Sequence, residues 1–120
     1  MHSGEEIPLV PSGTRVPEAL LEISTKGLGM TGVINSKGEL IGVYTDGDLR
    51  RTLNRSIDVV HRIIDDVMTP RPQTVTPRTL AAEVVDLMRQ RSINGVFAVD
   101  ETGQPVGALN TLDLIRTGIF

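Results

Sequence analysis

Apolar residues follow two alternating periods along this chain, and the alternation happens twice. Val16, Ala19, Leu20 and Ile23 are spaced i, i+3, i+4, i+7. That spacing lays one stripe along a helix, so residues 16–26 are predicted helical. Gly27 and Gly29 stop the helix. Gly32 to Ile34 and Leu40 to Tyr44 are short apolar runs rich in strand formers. The turn signal Asn35-Ser36-Lys37-Gly38 between them predicts a hairpin. Thr45 is a good N-cap, and Asp48 follows at capping-box spacing. A second helix is therefore predicted over 46–55, with Asp46 and Asp48 at the positive end of its dipole.

The flanks are less regular. Residues 1–15 are rich in turn formers, with Gly4, Pro8, Pro11, Ser12 and Gly13, and Ile7 to Val10 is expected as a short edge strand. Residues 56–66 read as a mixed connector. Val67 to Pro72 is expected to be irregular because of Pro70 and Pro72.

The whole pattern returns 65 residues on. Val16, Ala19, Leu20 and Ile23 become Ala81, Val84, Val85 and Met88. Gly38 becomes Gly103, Gly42 becomes Gly107, and Asp48 becomes Asp113. Strands are predicted at Val96–Val99 and Val106–Leu109, and a last helix over 111–118. Met1 matches Met68 at an offset of 67, so the first copy has two extra residues near its start. The prediction is a strand, helix, strand, strand, helix unit present twice. Residues 1–56 form the first copy, 57–66 the connector and 67–120 the second. Each copy is too small to bury its own sheet, so the two should pack together.

Composition narrows the function. Hydrophobic residues make up 39% of the 120 and aromatics only 2%, so a packed core must rest on Val, Ile, Leu, Met and Ala. There is no cysteine, which excludes disulfides and thiol chemistry and fits a reducing compartment. A net charge of −3 gives no broad electrostatic reason to bind nucleic acid. No apolar run approaches a membrane span, and the polar, acidic start does not resemble a signal peptide. The expected location is cytoplasmic.

Thr45-x-x-Asp48 after Gly42, the element order, and Val67-Met68-Thr69-Pro70 leading into the second copy resemble a cystathionine-β-synthase (CBS) domain pair, or Bateman module. The resemblance covers nearly the whole chain. It implies a mixed α+β fold of two pseudo-symmetric β-α-β-β-α units packed through their sheets, with two clefts between them. Met1 to Pro8, Leu28-Gly29-Met30-Thr31, Tyr44 to Arg51 and Asp65 to Pro70 also resemble the C-terminal part of D-arabinose 5-phosphate isomerases. These enzymes supply arabinose 5-phosphate for the octulosonate sugar of lipopolysaccharide. Nothing here matches their N-terminal sugar-isomerase domain, so the resemblance implies a regulatory part alone, attached to that domain and without catalysis of its own.

The resemblance also implies roles. Thr45 would contact phosphate and Asp48 ribose hydroxyls of a nucleotide or CMP-sugar. CMP-octulosonate would be a feedback ligand, and AMP or ATP the general family alternative. Free N–H groups at a helix start suit an anion, and a carboxylate can accept two hydroxyl protons. Both residues would also simply cap a helix. Asn110 replaces the hydroxyl residue ahead of Asp113, which keeps the cap and weakens the phosphate cradle, so the halves are expected to have unequal sites. Arg51 and Arg116, with Arg50, follow the two Asp positions as candidate partners for an anion.

Other residues point to structure. Arg71, Arg78, Arg89 and Arg91 read as surface charge. Glu5-Glu6 and Asp65-Asp66 read as solvated pairs. His2 and His61, the two histidines, lack metal-ligand spacing, and no catalytic grouping is visible. Met1, Met30, Met68 and Met88 read as core packing. The competing reading is an oligomerisation scaffold that binds nothing. A homodimer of such pairs is expected under either reading.

Overall fold

The chain is described from a computed structural model, covering residues 1–55, 58–79 and 81–116, with Arg116 described by its backbone alone. The first half runs β1 (Leu9–Pro11), α1 (Val16–Lys26), β2 (Met30–Ile34), β3 (Leu40–Thr45) and α2 (Asp46–Asn54). The second half runs β4 (Thr69–Pro70), β5 (Thr74–Val75), α3 (Ala81–Arg91), β6 (Gly95–Val99), β7 (Pro105–Asn110) and α4 (Thr111–Arg116). Short 3-10 turns occupy Gly4–Glu6, Val59–His61 and Ile64–Asp66.

Two sheets result, one ordered β1-β2-β3-β4 and one β5-β6-β7. Each opens with a parallel pair joined by a helical crossover and continues with an antiparallel hairpin. The internal repeat extends to register. Val10 pairs with Val33 and Val75 with Ala98, both shifted by 65 residues. The hairpins slip at Val33/Ile34 and at Ala98/Val99, again 65 apart. A mixed α+β fold of two like units follows. The first strand lies at the sheet edge, as expected, but spans Leu9–Pro11. Residues 117–118 of the expected last helix lie outside the described residues.

The core has three parts. Val16, Ala19 and Ile23 of α1 pack with Val33, Tyr44 and Ile64. Val84, Val85 and Met88 of α3 pack with Val96, Ala98, Leu109 and Leu114. Between the sheets lie Leu28, Met30, Phe97 and Ala108, joined by Leu9, Leu40 and Val43. The strand period explains this division: Val33 faces α1, whereas Met30 and Gly32 face the opposite sheet. A Cβ on Gly32 would stand 2.7 Å from Leu40, 2.9 Å from Leu9 and 3.2 Å from Phe97, so glycine there lets the sheets meet. The radius of gyration, 13.8 Å, is that of one compact body of this length.

Three expectations are corrected. Thr69–Pro70 is not irregular: it pairs antiparallel with Val43 and Gly42. Pro70 is tolerated because β4 is an edge strand whose outer side needs no donor. Ala81 does not share the buried face of Val84, Val85 and Met88 but is exposed. In the first half, Ile64 and the Val59–His61 turn cover the start of α1; the described residues of the second half supply no such cover. Asp65 is not simply solvated. It accepts from the Ser12 hydroxyl and from the Gly13 N–H at 2.7 Å. Burial opposes its ionisation, but these two donors outweigh it and hold its carboxyl below the usual carboxylate range. Of the methionines, Met30 and Met88 are core residues and Met68 packs over Gly42. Met1 is 62% exposed.

Candidate functional site

Strand β3 runs without a loop into α2, and this junction forms one wall of a cleft. Thr45 stays extended and its hydroxyl accepts from the Asp48 N–H at 3.0 Å. The Asp48 carboxylate accepts from the Thr45 N–H, also at 3.0 Å. This reciprocal capping box satisfies two backbone donors and is worth about 1 kcal/mol. The junction is anchored from below by Tyr44, whose buried hydroxyl donates to Thr52 at 3.2 Å. Thr52 in turn donates to the Asp48 carbonyl at 2.7 Å.

The cleft encloses about 650 Å³, enough for a nucleotide-sized molecule, and lies between the two halves. Thr45, Asp48 and Arg51 line it from the first half, and Asn110 lines it from the second. Arg51 donates to Asp48 at 2.6 Å, but its side chain is 64% exposed against 11% for Asp48. It can turn away from the helix without unfolding anything. Arg50 and Arg71 also face the cleft. Among the described residues, neither has an ion-pair partner. Three guanidiniums therefore stand around two carboxylates, Asp46 and Asp48, at the positive end of a helix.

Arg71 corrects the reading of it as mere surface charge. It follows β4, where its N–H donates to the Ile41 carbonyl at 3.2 Å, and its backbone lies in the left-handed region at φ 49°. That conformation costs an ordinary residue about 1–2 kcal/mol. Its place between Pro70 and Pro72 was the available sequence signal for a backbone fixed against the rest of the fold.

The second half repeats the cap. The Asp113 N–H donates to the Asn110 amide oxygen at 2.9 Å, and Asp113 accepts from the Asn110 N–H at 2.8 Å. Asn110 also donates to the Leu28 carbonyl at 3.4 Å, across the two halves. Asp113 is not part of the cleft wall. Its outer oxygen lies 2.9 Å from His2 Nε2. Burial opposes ionisation of Asp113, but the Asn110 N–H and then His2 outweigh it and keep the carboxyl below the usual range. The side chain of Arg116 lies outside the described residues. The structure thus gathers Thr45, Asp48, Arg51 and Asn110 and leaves Asp113 apart. No described helix is long and apolar enough to cross a membrane. Among the described residues no group of three or more His, Cys, Asp or Glu side chains could hold a metal ion.

A family model described as CBS domain matches residues 3–55 and 64–118. Arabinose 5-phosphate isomerase KdsD of Pseudomonas aeruginosa is 49% identical over 120 residues, which is all of this chain and 37% of that protein. The chain therefore spans little more than a third of this relative. Among solved structures, protein PAE2072 of Pyrobaculum aerophilum complexed with AMP aligns with a TM-score of 0.84 at 18% identity, covering 99% of this chain and 92% of that one. The CBS domain pair of protein MJ0100, in complex with 5'-methylthioadenosine and S-adenosyl-L-methionine, aligns at 0.83 with 21% identity, covering 95% and 93%.

Proposed function

This chain belongs to the CBS domain family, as a domain pair, and we propose that it is the regulatory nucleotide-binding part of an arabinose 5-phosphate isomerase. The observation that carries the reading is the cleft itself: hydroxyl, carboxylate and three guanidiniums converge on a space of about 650 Å³ between the halves. A phosphate would sit near the positive end of α2, against the guanidiniums of Arg50, Arg51 and Arg71. Sugar hydroxyls would meet Asp48 once Arg51 turns toward the anion. The proposed ligand is a CMP-sugar, CMP-octulosonate as a feedback signal, with AMP or ATP as the alternative. The adenosine ligands of the aligned structures support the nucleotide class. The KdsD relative, of which this chain spans 37%, supports an isomerase part in the same parent chain; the proposal puts a sugar-isomerase domain upstream and the protein in the cytoplasm. Ligand binding would favour one arrangement of the pair, and so of that domain, through its differential affinity.

Thermal unfolding with CMP-octulosonate, CMP, AMP and ATP tests this reading. A ligand at a hundred times its Kd stabilises by about 2.7 kcal/mol, a rise of roughly 10 °C for a domain of this size. No rise with any of the four overturns the reading and favours the scaffold. A homodimer is proposed alongside this reading, with Leu21, Leu53 and Ile115, 67%, 54% and 53% exposed, as apolar helix positions that pairing would cover.

A further inference from the structure

The halves differ most where the first residues of each repeat cross to the other half. An offset of 67 relates His2 to Thr69, and one of 65 relates Val43 to Ala108 and Asp48 to Asp113. The structure preserves all of these correspondences. Thr69 pairs with Val43, and His2 pairs antiparallel with Ala108, through backbone hydrogen bonds of 2.8 and 2.9 Å. Met68 packs over Gly42, and Met1 over Gly107. The residue at each crossing then reaches the Asp of the half it has joined.

What arrives there is different. The Thr69 hydroxyl donates to Asp48 across 3.3 Å, a long bond that a ligand hydroxyl can replace. His2 instead sets both ring nitrogens on carboxylates, Nε2 at 2.9 Å from Asp113 and Nδ1 at 3.1 Å from Glu6. The next positions differ in charge. Arg71, Pro72 and Gln73 line the first cleft; at the same offset stand Gly4, Glu5 and Glu6. Arg50 corresponds to Ile115. The second half has Gly and Ile in place of two guanidiniums, and it gains Glu5 and Glu6 while Thr111 replaces Asp46, a net gain of one carboxylate.

We propose that His2 is the resident occupant of the second-half site: it satisfies Asp113, latches residues 1–6 onto β7 and α4, and leaves the first cleft as the single place for an anionic nucleotide. The last clause rests on the proposed function, while the latch does not. A phosphate approaching α4 would meet Glu6 and Asp113 with counterparts of Arg50 and Arg71 missing, and like charges at such range repel it. The groups facing His2 are Asp113 on α4 and Glu6 on the Gly4–Glu6 turn. The hydrogen bond to Asp113, then that to Glu6, raises the His2 pKa above its ordinary 6.5 against the opposing effect of burial.

The test is NMR on the 120-residue chain, where His2 and His61 give the only imidazole signals. His2 should titrate above 6.5, and its midpoint should fall in Asp113→Asn and, less, in Glu6→Gln. Glu6 lies outside the core, so Glu6→Gln keeps the test valid if Asp113→Asn folds poorly. A His2 midpoint at its ordinary value, unmoved by both variants, overturns the latch. Titration with CMP and with AMP should shift amides at 45–51 and 71, leave the His2 imidazole in place, and saturate at one nucleotide per chain. Displacement of His2, or two nucleotides per chain, overturns the closed site. If neither nucleotide shifts any amide, the proposed function and the single-cleft clause fail together, and the latch is decided by the histidine titration.

Discussion

Replacing Asp48 by Asn separates a binding carboxylate from a helix cap, because the structure gives the two roles different sizes. Asn keeps an oxygen for the Thr45 N–H, so the backbone part of the capping box survives. Two charge effects are lost. A carboxylate in the first turn of a helix contributes about 0.3–1 kcal/mol. The Arg51 bond is short at 2.6 Å, but its partner is 64% exposed, which limits it to about 0.2–1 kcal/mol. Together these cost roughly 0.5–2 kcal/mol, a fall in Tm of about 2–8 °C for a domain of this length. Affinity should change more. Charge-assisted hydrogen bonds to ligand hydroxyls are worth about 1.5–3 kcal/mol, or roughly tenfold to a hundredfold in Kd. Calorimetry with CMP and AMP gives the second quantity, and urea unfolding the first. Asp113→Asn is the control: it should lose similar stability and leave Kd within about twofold. Should Asp48→Asn bind both nucleotides as the parent does while both variants lose stability alike, Asp48 is a cap and nothing more.

Four further outcomes follow from the geometry. Gly32→Ala should cost about 1–3 kcal/mol in urea unfolding, because its Cβ would stand within 3.2 Å of Leu40, Leu9 and Phe97 together; a neutral result would mean the sheets part easily. Arg71→Gly relieves a left-handed backbone but frees the unfolded chain, so its stability should change by less than about 1 kcal/mol while CMP or AMP binding weakens; unchanged binding removes Arg71 from the site. Asp65 has a folded pKa below its ordinary 3.8, so its contribution is complete above that value and lost as pH falls through the folded pKa. Asp65→Asn should therefore flatten the acid limb of a stability–pH curve, and an unchanged limb would refute the role given to Ser12 and Gly13. His2 works in the opposite sense: its raised pKa gives stability that is complete below 6.5 and lost as pH rises through the folded value, a decline that His2→Ala should abolish.

What the sequence decided by itself was everything set by near neighbours. The helix over Val16–Lys26 and the hairpin turning at Asn35–Gly38 follow from side-chain period and turn residues. Both capping boxes join residues three apart, so Thr45-x-x-Asp48 and Asn110-x-x-Asp113 announce their own geometry. The repeat was legible for the same reason, since each copy carries its local signals separately. Tertiary structure decided what depends on partners far along the chain. Pro70 argued against a strand, yet β3 offered an edge on which its missing donor costs nothing. Ala81 matched Val16 in spacing but is exposed, with no cover from the described residues. Arg71 looked like surface charge until β4 carried it to the cleft. Asp113 looked like a second Asp48 until His2, 111 residues away in the chain, closed on it. Such contacts leave no periodic trace, because the positions they join are neighbours only after the two sheets have packed.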